Sequence, residues 1–178
     1  HEITQAIWFI SLYEDGYNVT DPEGVLSVIF THDLGEEFGI TPDFIEGYLK
    51  DHGFKDQTFI DKFKANYDAI TKKYGPDGVP THETEYGYYV NLEDYENASV
   101  AKLIDRLHNV TTLIRAFDRP RMLEYLANTT MLRNDFVHNV SENFPSQRDL
   151  YLSLGKHLEW AAQASVYHEN TLGKPIDD

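Results

Sequence analysis

Residues 100–117 read VAKLIDRLHNVTTLIRAF. Val100, Leu103, Ile104, Leu107, Val110, Leu113, Ile114 and Phe117 recur at steps of three and four, which draws one apolar stripe along a helix. Arg119-Pro120 marks its end. Asp105 falls beside that stripe, at the border of the core, where an unpaired charge is costly. It therefore needs a cation, and either Arg106 or Arg115 or a metal ion can supply it.

Working outward, the C-terminal part continues the helical pattern over residues 122–140 and 146–167, with Phe144-Pro145 between them and a tail at 173–178 expected to fray. On the N-terminal side, Ile3, Ala6, Ile7, Phe9, Ile10 and Leu12 predict a mostly buried first helix, stopped by Asp15-Gly16. Asp21-Pro22-Glu23 is a helix start, with Asp21 as cap and Pro22 in the first turn. The body that follows, Val25, Leu26, Val28, Ile29 and Phe30, has the composition of a strand, but the cap favours helix. Thr41-Pro42-Asp43 repeats the signal and predicts a buried stripe of Phe44, Ile45, Tyr48 and Leu49, closed by His52-Gly53. A further helix is predicted over 58–74, with Phe59, Ile60, Phe63, Tyr67 and Ile70 on one face. Residues 75–97, rich in Gly, Pro, Thr and Tyr, read as one long irregular loop with a short hairpin around 85–91, suited to a lid. The expectation is an all-α single domain, 1–178, of six to eight helices.

Composition narrows the chemistry. The chain has 178 residues, 15 Lys+Arg and 30 Asp+Glu, a formal charge of −15, and no cysteine. Disulfides, zinc ribbons, iron–sulfur clusters and thiol nucleophiles are thereby excluded, and a metal would be held by His, Asp, Glu and water. Long nucleic acid is not an expected partner, because no Lys/Arg stripe is present to meet a phosphate backbone. A small phosphate ester remains compatible if a divalent ion and a few placed cations offset the field. No apolar run approaches the ~20 residues that span a bilayer, so a soluble, cytoplasmic protein with no membrane partner is expected. Oligomeric state is not legible here.

A second motif, His32-Asp33-Leu34-Gly35-Glu36-Glu37, follows the apolar run of the second helix. Together with Lys102-Leu103-Ile104-Asp105-Arg106-Leu107-His108-Asn109 it resembles the HD-domain metal phosphohydrolases, most closely the small single-domain form of the Rel/SpoT-type (p)ppGpp hydrolase branch. That branch has an H-D-x-x-E-D segment after an apolar helix and a K-L-x-D-R-L-x-N helix downstream, in this order. The resemblance implies an HD-type helical bundle with His1, His32, Asp33 and Asp105 as metal ligands. His1 precedes the His-Asp pair by 31 residues, a gap longer than the family's, with 14–21 as an insertion, and Glu2 stands where Pro is usual. The ion implied is Mn²⁺, with Zn²⁺, Fe²⁺ or Co²⁺ as substitutes.

By the same resemblance, Glu36 and Glu37 match the E-D pair that orients or deprotonates water and handles the leaving group. Lys102 and Arg106 become counter-charges for substrate phosphate, and Asn109 a contact to the nucleoside. Phe38 stands where the branch has Thr. The implied activity is hydrolysis of a nucleotide phosphate ester, first a (p)ppGpp-type 3′-pyrophosphohydrolase. The rivals are a 5′-nucleotidase or deoxynucleoside-triphosphate triphosphohydrolase of the same superfamily, and a non-catalytic HD domain that binds a nucleotide or a protein. Tyrosines 86–95 offer faces on which a base could stack. His108 is read as a packed or surface histidine.

Overall fold

The computed structural model describes residues 1–73, 85–116 and 118–172, and within them the chain is all helical, with eight α-helices. These are α1 Glu2–Glu14, α2 Pro22–Phe38, α3 Pro42–Asp51, α4 Gln57–Ile70, α5 Glu85–Leu92, α6 Glu96–Ala116, α7 Arg119–Asn143 and α8 Arg148–Leu172, with one 3-10 turn at Pro145–Gln147. None of them is long and apolar enough to cross a membrane.

Local chemistry explains four of the eight starts. Asp21 Oδ1 accepts from the Gly24 N–H (2.9 Å), Thr41 Oγ1 from Phe44 N–H (3.2 Å), Asp56 Oδ1 from Phe59 N–H (3.1 Å) and Asp118 Oδ1 from Arg121 N–H (3.1 Å). Each cap satisfies an amide that the helix itself cannot pair. The strand-like run after Asp21 is indeed helical. It continues through the His32-Asp33 pair to Phe38, where Gly39, at φ +66°, sends its N–H back to Gly35 O and ends the helix.

The long α6 is the axis of the bundle, packed by α8, α2, α4, α1 and α7. Val100, Leu103, Ile104, Val110 and Leu113 are buried on it as the periodicity predicts. Four of these neighbours, α1, α2, α4 and α8, bring Phe9, Ile29, Tyr67 and Leu154 into one core.

Four expectations are corrected. The first helix buries only Gln5, Ala6 and Phe9, while Ile3, Ile7 and Ile10 face solvent, because α1 meets α2 and α6 along a narrow strip. The stripe Phe44, Ile45, Tyr48 and Leu49 is not buried either, and α3 has no buried residue at all. The hairpin expected around 85–91 is the helix α5. There Tyr88, Tyr89 and Leu92 recur at helical spacing and are buried, and Tyr88 Oη donates to Ile70 O (2.6 Å). Arg119-Pro120 does not merely end a helix: Asp118 caps there and Pro120 sits inside the first turn of α7. Residues 74–84, which hold the rest of the proposed lid, and the tail 173–178 lie outside the described residues.

Asp21 ties three helices together. Besides capping α2, its Oδ2 accepts from Asn97 on α6 (2.8 Å) and pairs with Lys62 on α4 (2.9 Å). A Cβ at Gly24 would collide with both Asn97 and Asp21, so α2 and α6 approach closely only with glycine there.

Two predictions follow from this packing. Ile29→Ala should cost about 2–5 kcal/mol in urea unfolding, while Ile7→Ala on the exposed face of α1 stays within ~0.5 kcal/mol. Burial alone would raise the Asp21 pKa, but the bonds from Asn97, Lys62 and Gly24 outweigh it and hold the carboxyl below its ordinary value. Its stabilisation is therefore complete above the unfolded carboxylate pKa, roughly 4, and is lost as pH falls through the lower folded value. Asp21→Asn should flatten that acid limb in unfolding curves recorded from pH 6 to 2.5.

Candidate metal centre

Three helices converge on one carboxylate. Asp105 is buried on α6, one turn after Lys102 and one turn before Asn109, so all three share a face. Lys102 Nζ donates to Asp105 Oδ2 (2.8 Å), and Asn109 Nδ2 donates to Oδ1 (3.1 Å). From α1, Gln5 Nε2 donates to the same Oδ1 (3.1 Å) and to His1 Nε2 (2.6 Å). His1 Nε2 lies 3.0 Å from Asp105 Oδ1. From α2, His32 Nε2 lies 3.7 Å from Asp105 Oδ1 and 3.1 Å from Asp33 Oδ1, without making a hydrogen bond to either.

The histidine geometry decides what the site can hold. His32 Nδ1 is 2.8 Å from the Ile29 carbonyl oxygen, which can only accept, so Nδ1 carries the proton. Neutral His32 then turns a bare Nε2 lone pair toward carboxylate oxygens. His1 Nε2 is within hydrogen-bond distance of both Gln5 Nε2 and Asp105 Oδ1: unprotonated it accepts from Gln5 and stands close to the carboxylate, and protonated it donates to Asp105. Such a cluster of lone pairs is repulsive until a proton or a metal ion enters it. One ligand atom from each of His1, His32 and Asp105 lies within 4.8 Å of the other two. Donors ~2.0–2.2 Å from a shared ion stand about 3–3.5 Å apart, so the spacing suits a divalent cation with small adjustment. The donor set is nitrogen and oxygen only, the mixture that accepts Mn²⁺, Fe²⁺, Co²⁺ or Zn²⁺.

Charge points the same way. Burial, and then the Asp105 and Glu2 carboxylates, raise the Asp33 pKa despite His32 and Lys102 nearby. Burial pulls His32 down, but the attraction of Asp105 and Asp33 outweighs it and raises the pKa. For Asp105 burial works upward, and Lys102 and His32 overcome it, holding the carboxyl well below the usual range. Lys102, also buried, is kept charged by Asp105. Two carboxylates, Asp33 and Asp105, thus meet one permanent cation, Lys102, and a second positive charge arrives only with a proton on His32 or with a metal ion.

The structure brings three of the four proposed ligands, His1, His32 and Asp105, within reach of one ion, while Asp33 lies outside that triad, 3.1 Å from His32 Nε2. It treats the other motif residues unequally. Glu36 Oε1 accepts from the Lys72 N–H (3.1 Å), which anchors the end of α2 to the segment after α4, whereas Glu37 is exposed. Arg106 turns away from Asp105: it donates through Nε to Thr129 Oγ1 (2.9 Å) and through Nη2 to Tyr125 O (3.0 Å), and its guanidinium stacks 3.5 Å over the Tyr125 ring. Among the described side chains Lys102, not Arg106, is paired with Asp105, and its ammonium also lies 5.6 Å from the centre of the Tyr88 ring. The Arg115 side chain lies outside the described residues. His108 packs edge-on against His1, with ring centres 4.4 Å apart, and against Trp8.

Sequence reasoning missed Gln5. It is fully buried, with Oε1 unpartnered and Nε2 bridging His1 and Asp105. A signal was present, since Gln5 is a polar residue on the one strip of α1 that also carries Ala6 and Phe9. No protein-family profile, curated protein or solved structure matches the chain.

The buried pair yields a stability prediction that is independent of chemistry. Asp105→Ala leaves Lys102 charged and unpaired and should cost about 3–5 kcal/mol in urea unfolding. Lys102→Met combined with Asp105→Leu should recover most of that loss, a coupling that a double-mutant cycle measures.

Proposed function

We propose that this chain is an HD-type, metal-dependent phosphohydrolase acting on a nucleotide phosphate ester. The observation that carries the reading is the His32 Nε2 lone pair, fixed by the Ile29 carbonyl and aimed between Asp33, Asp105 and His1. His1, His32, Asp33 and Asp105 would hold the ion. When bound, a divalent ion supplies Lewis-acid polarisation of a phosphate oxygen and lowers the pKa of a water toward neutrality.

The protein groups then divide the remaining work. Gln5, Lys102 and Asn109 orient the Asp105 carboxylate from three directions. Glu37, one helical turn beyond Asp33 and exposed, is the carboxylate assigned to accept the proton from water and return it to the leaving oxygen. Glu36, tethered to the Lys72 amide, holds the end of α2 that carries Glu37. Asn109 retains a place beside the ligand Asp105 from which its carbonyl can meet a nucleoside hydroxyl.

Within this class the first substrate to test is (p)ppGpp, with release of pyrophosphate from the 3′ position. One observation favours the 5′-nucleotidase rival. Arg106, the cation expected to meet a pyrophosphate, is bonded to Thr129 and Tyr125, and Lys102 is paired with Asp105. A monophosphate ester, with fewer charges to balance, fits such a site better than a polyphosphate.

The test is a release assay with Mn²⁺-loaded protein across (p)ppGpp, nucleoside monophosphates and deoxynucleoside triphosphates, scoring pyrophosphate, phosphate and triphosphate separately. Turnover should vanish with a chelator. It should fall at least ~100-fold in His1→Ala and in Asp33→Asn, which also lose Mn²⁺ binding by calorimetry while remaining folded. Tight Mn²⁺ binding with no release from any nucleotide would select the non-catalytic HD reading. Failure to bind a divalent ion would refute the metal centre itself.

A further inference from the structure

The helix α3 poses a physical problem that the metal centre does not explain. It is capped, regular and amphipathic, yet it buries none of its residues. It packs on α4, and between it and α2 runs an open groove of about 680 Å³. Leu34, Phe59 and Phe63 line the groove, and large aromatics stand at its lips: Phe44 is 61% exposed, Tyr48 56% and Phe38 69%. Such a contiguous aromatic surface is a mark of an interaction site.

Polarity and charge select the occupant. The two lining hydroxyls on α2 are already spent, Ser27 on the Glu23 carbonyl (2.8 Å) and Thr31 on the Ser27 carbonyl (2.7 Å). The α2 wall therefore lacks the placed hydroxyl anchors by which small-molecule pockets orient a ligand. Residues 1–49 contain no Lys or Arg and ten Asp or Glu. The helices α2 and α3 carry seven carboxylates against the single Lys50; with Asp33 beside His32 in the metal centre and Glu36 bonded to the Lys72 amide, Glu23, Glu37, Asp43, Glu46 and Asp51 are left. Lys50 is paired with Glu46, and Lys64 from α4 is shared between Asp43 and Glu46, so the lysines at the rim are matched while Glu37 and Asp51 are exposed beside the aromatics. A second copy of this chain would bring its own −15 against that field, and an anionic lipid surface would be repelled by it. Residues 74–84 and 173–178 are too polar to fill the groove, with Tyr74, Val79 and Ile176 as their only large apolar side chains.

We propose that the α2–α3 groove is the docking site for a basic amphipathic helix of a partner protein. Its apolar side chains would enter between Phe38, Phe44 and Tyr48, and its Lys/Arg face would meet the exposed carboxylates Glu37 and Asp51 at the rim. The inference shares only Glu37 with the hydrolase reading, since the apolar residues that line the groove are not metal ligands.

The test uses the full chain and two synthetic 18-residue helical peptides, one of Leu and Lys with Leu at helical spacing, the other with Glu in place of every Lys. Fluorescence anisotropy should show binding of the Leu/Lys peptide, weakened at least ~10-fold by Phe38→Asp and by Tyr48→Asp. Trp160→Asp, on the exposed face of α8, should leave it unchanged. Raising the salt should weaken it further, and the Leu/Glu peptide should not bind. Circular dichroism confirms that the variants fold, as expected for exposed positions. No binding of the Leu/Lys peptide, binding indifferent to the groove variants, or equal binding of both peptides would overturn the proposal. So would self-association in sedimentation velocity, or flotation with phosphatidylcholine vesicles, that Phe38→Asp abolishes, since the groove would then belong to a second copy or a lipid surface.

Discussion

The buried carboxylate of Asp105 is the constraint around which the rest is arranged. A charge in the interior is tolerable only when it is paired and hydrogen-bonded. Asp105 meets that condition by drawing Lys102 and Asn109 from its own helix and Gln5 from α1. The same requirement brings the first and second helices to α6 at the point where His1 and His32 face each other. Stability and site geometry are thus one problem here, because the groups that keep Asp105 ionised also orient it toward the histidines.

The second helix has two working faces. One holds His32 and Asp33 against α6, while Leu34 and Phe38 turn toward the groove beside α3. Close approach on either side depends on small residues: Gly24 admits Asn97, and Gly35 lets the helix settle on Thr71 and Tyr67, where any Cβ would collide. These glycines lie inside a helix, where they cost about 0.5–1 kcal/mol of backbone entropy relative to alanine. Their presence is explained by what the close approach positions, namely Asp21 across three helices and the His-Asp pair beside Asp105.

Much of this was legible in the residues. Asp21, Thr41 and the Pro residues after them announced helix starts, and the steps of α6 announced its buried face. The placement of Asp105 at the edge of that face, and its need for a cation, followed from periodicity alone. The gathering of His1, His32 and Asp33 around it rests on resemblance to a motif; the geometry puts His1 and His32 at Asp105 and leaves Asp33 beside His32. Less legible were the faces. The isoleucines of α1 and the aromatics of α3 have the spacing of core residues but lie outside, because burial depends on a neighbour and periodicity names none. Tyr88 and Tyr89 follow a stretch rich in glycine and proline, whose composition points to a hairpin where packing on α4, α6 and α7 makes a helix.

What the sequence by itself determined is the helical class, the caps, the charge excess and the nitrogen-and-oxygen character of any metal site, all of which depend on residue type and local spacing. Only the tertiary structure decided which cation answers Asp105. Arg106 is the immediate neighbour of Asp105 and Lys102 stands three residues before it, but the α7 backbone and the Tyr125 ring capture the first, leaving the second to pair with the carboxylate. Gln5 entered the site, and α3 was left uncovered, for the same reason. Long-range packing sets which groups meet, and pairing energies in a low-dielectric interior depend on distances that no local pattern records.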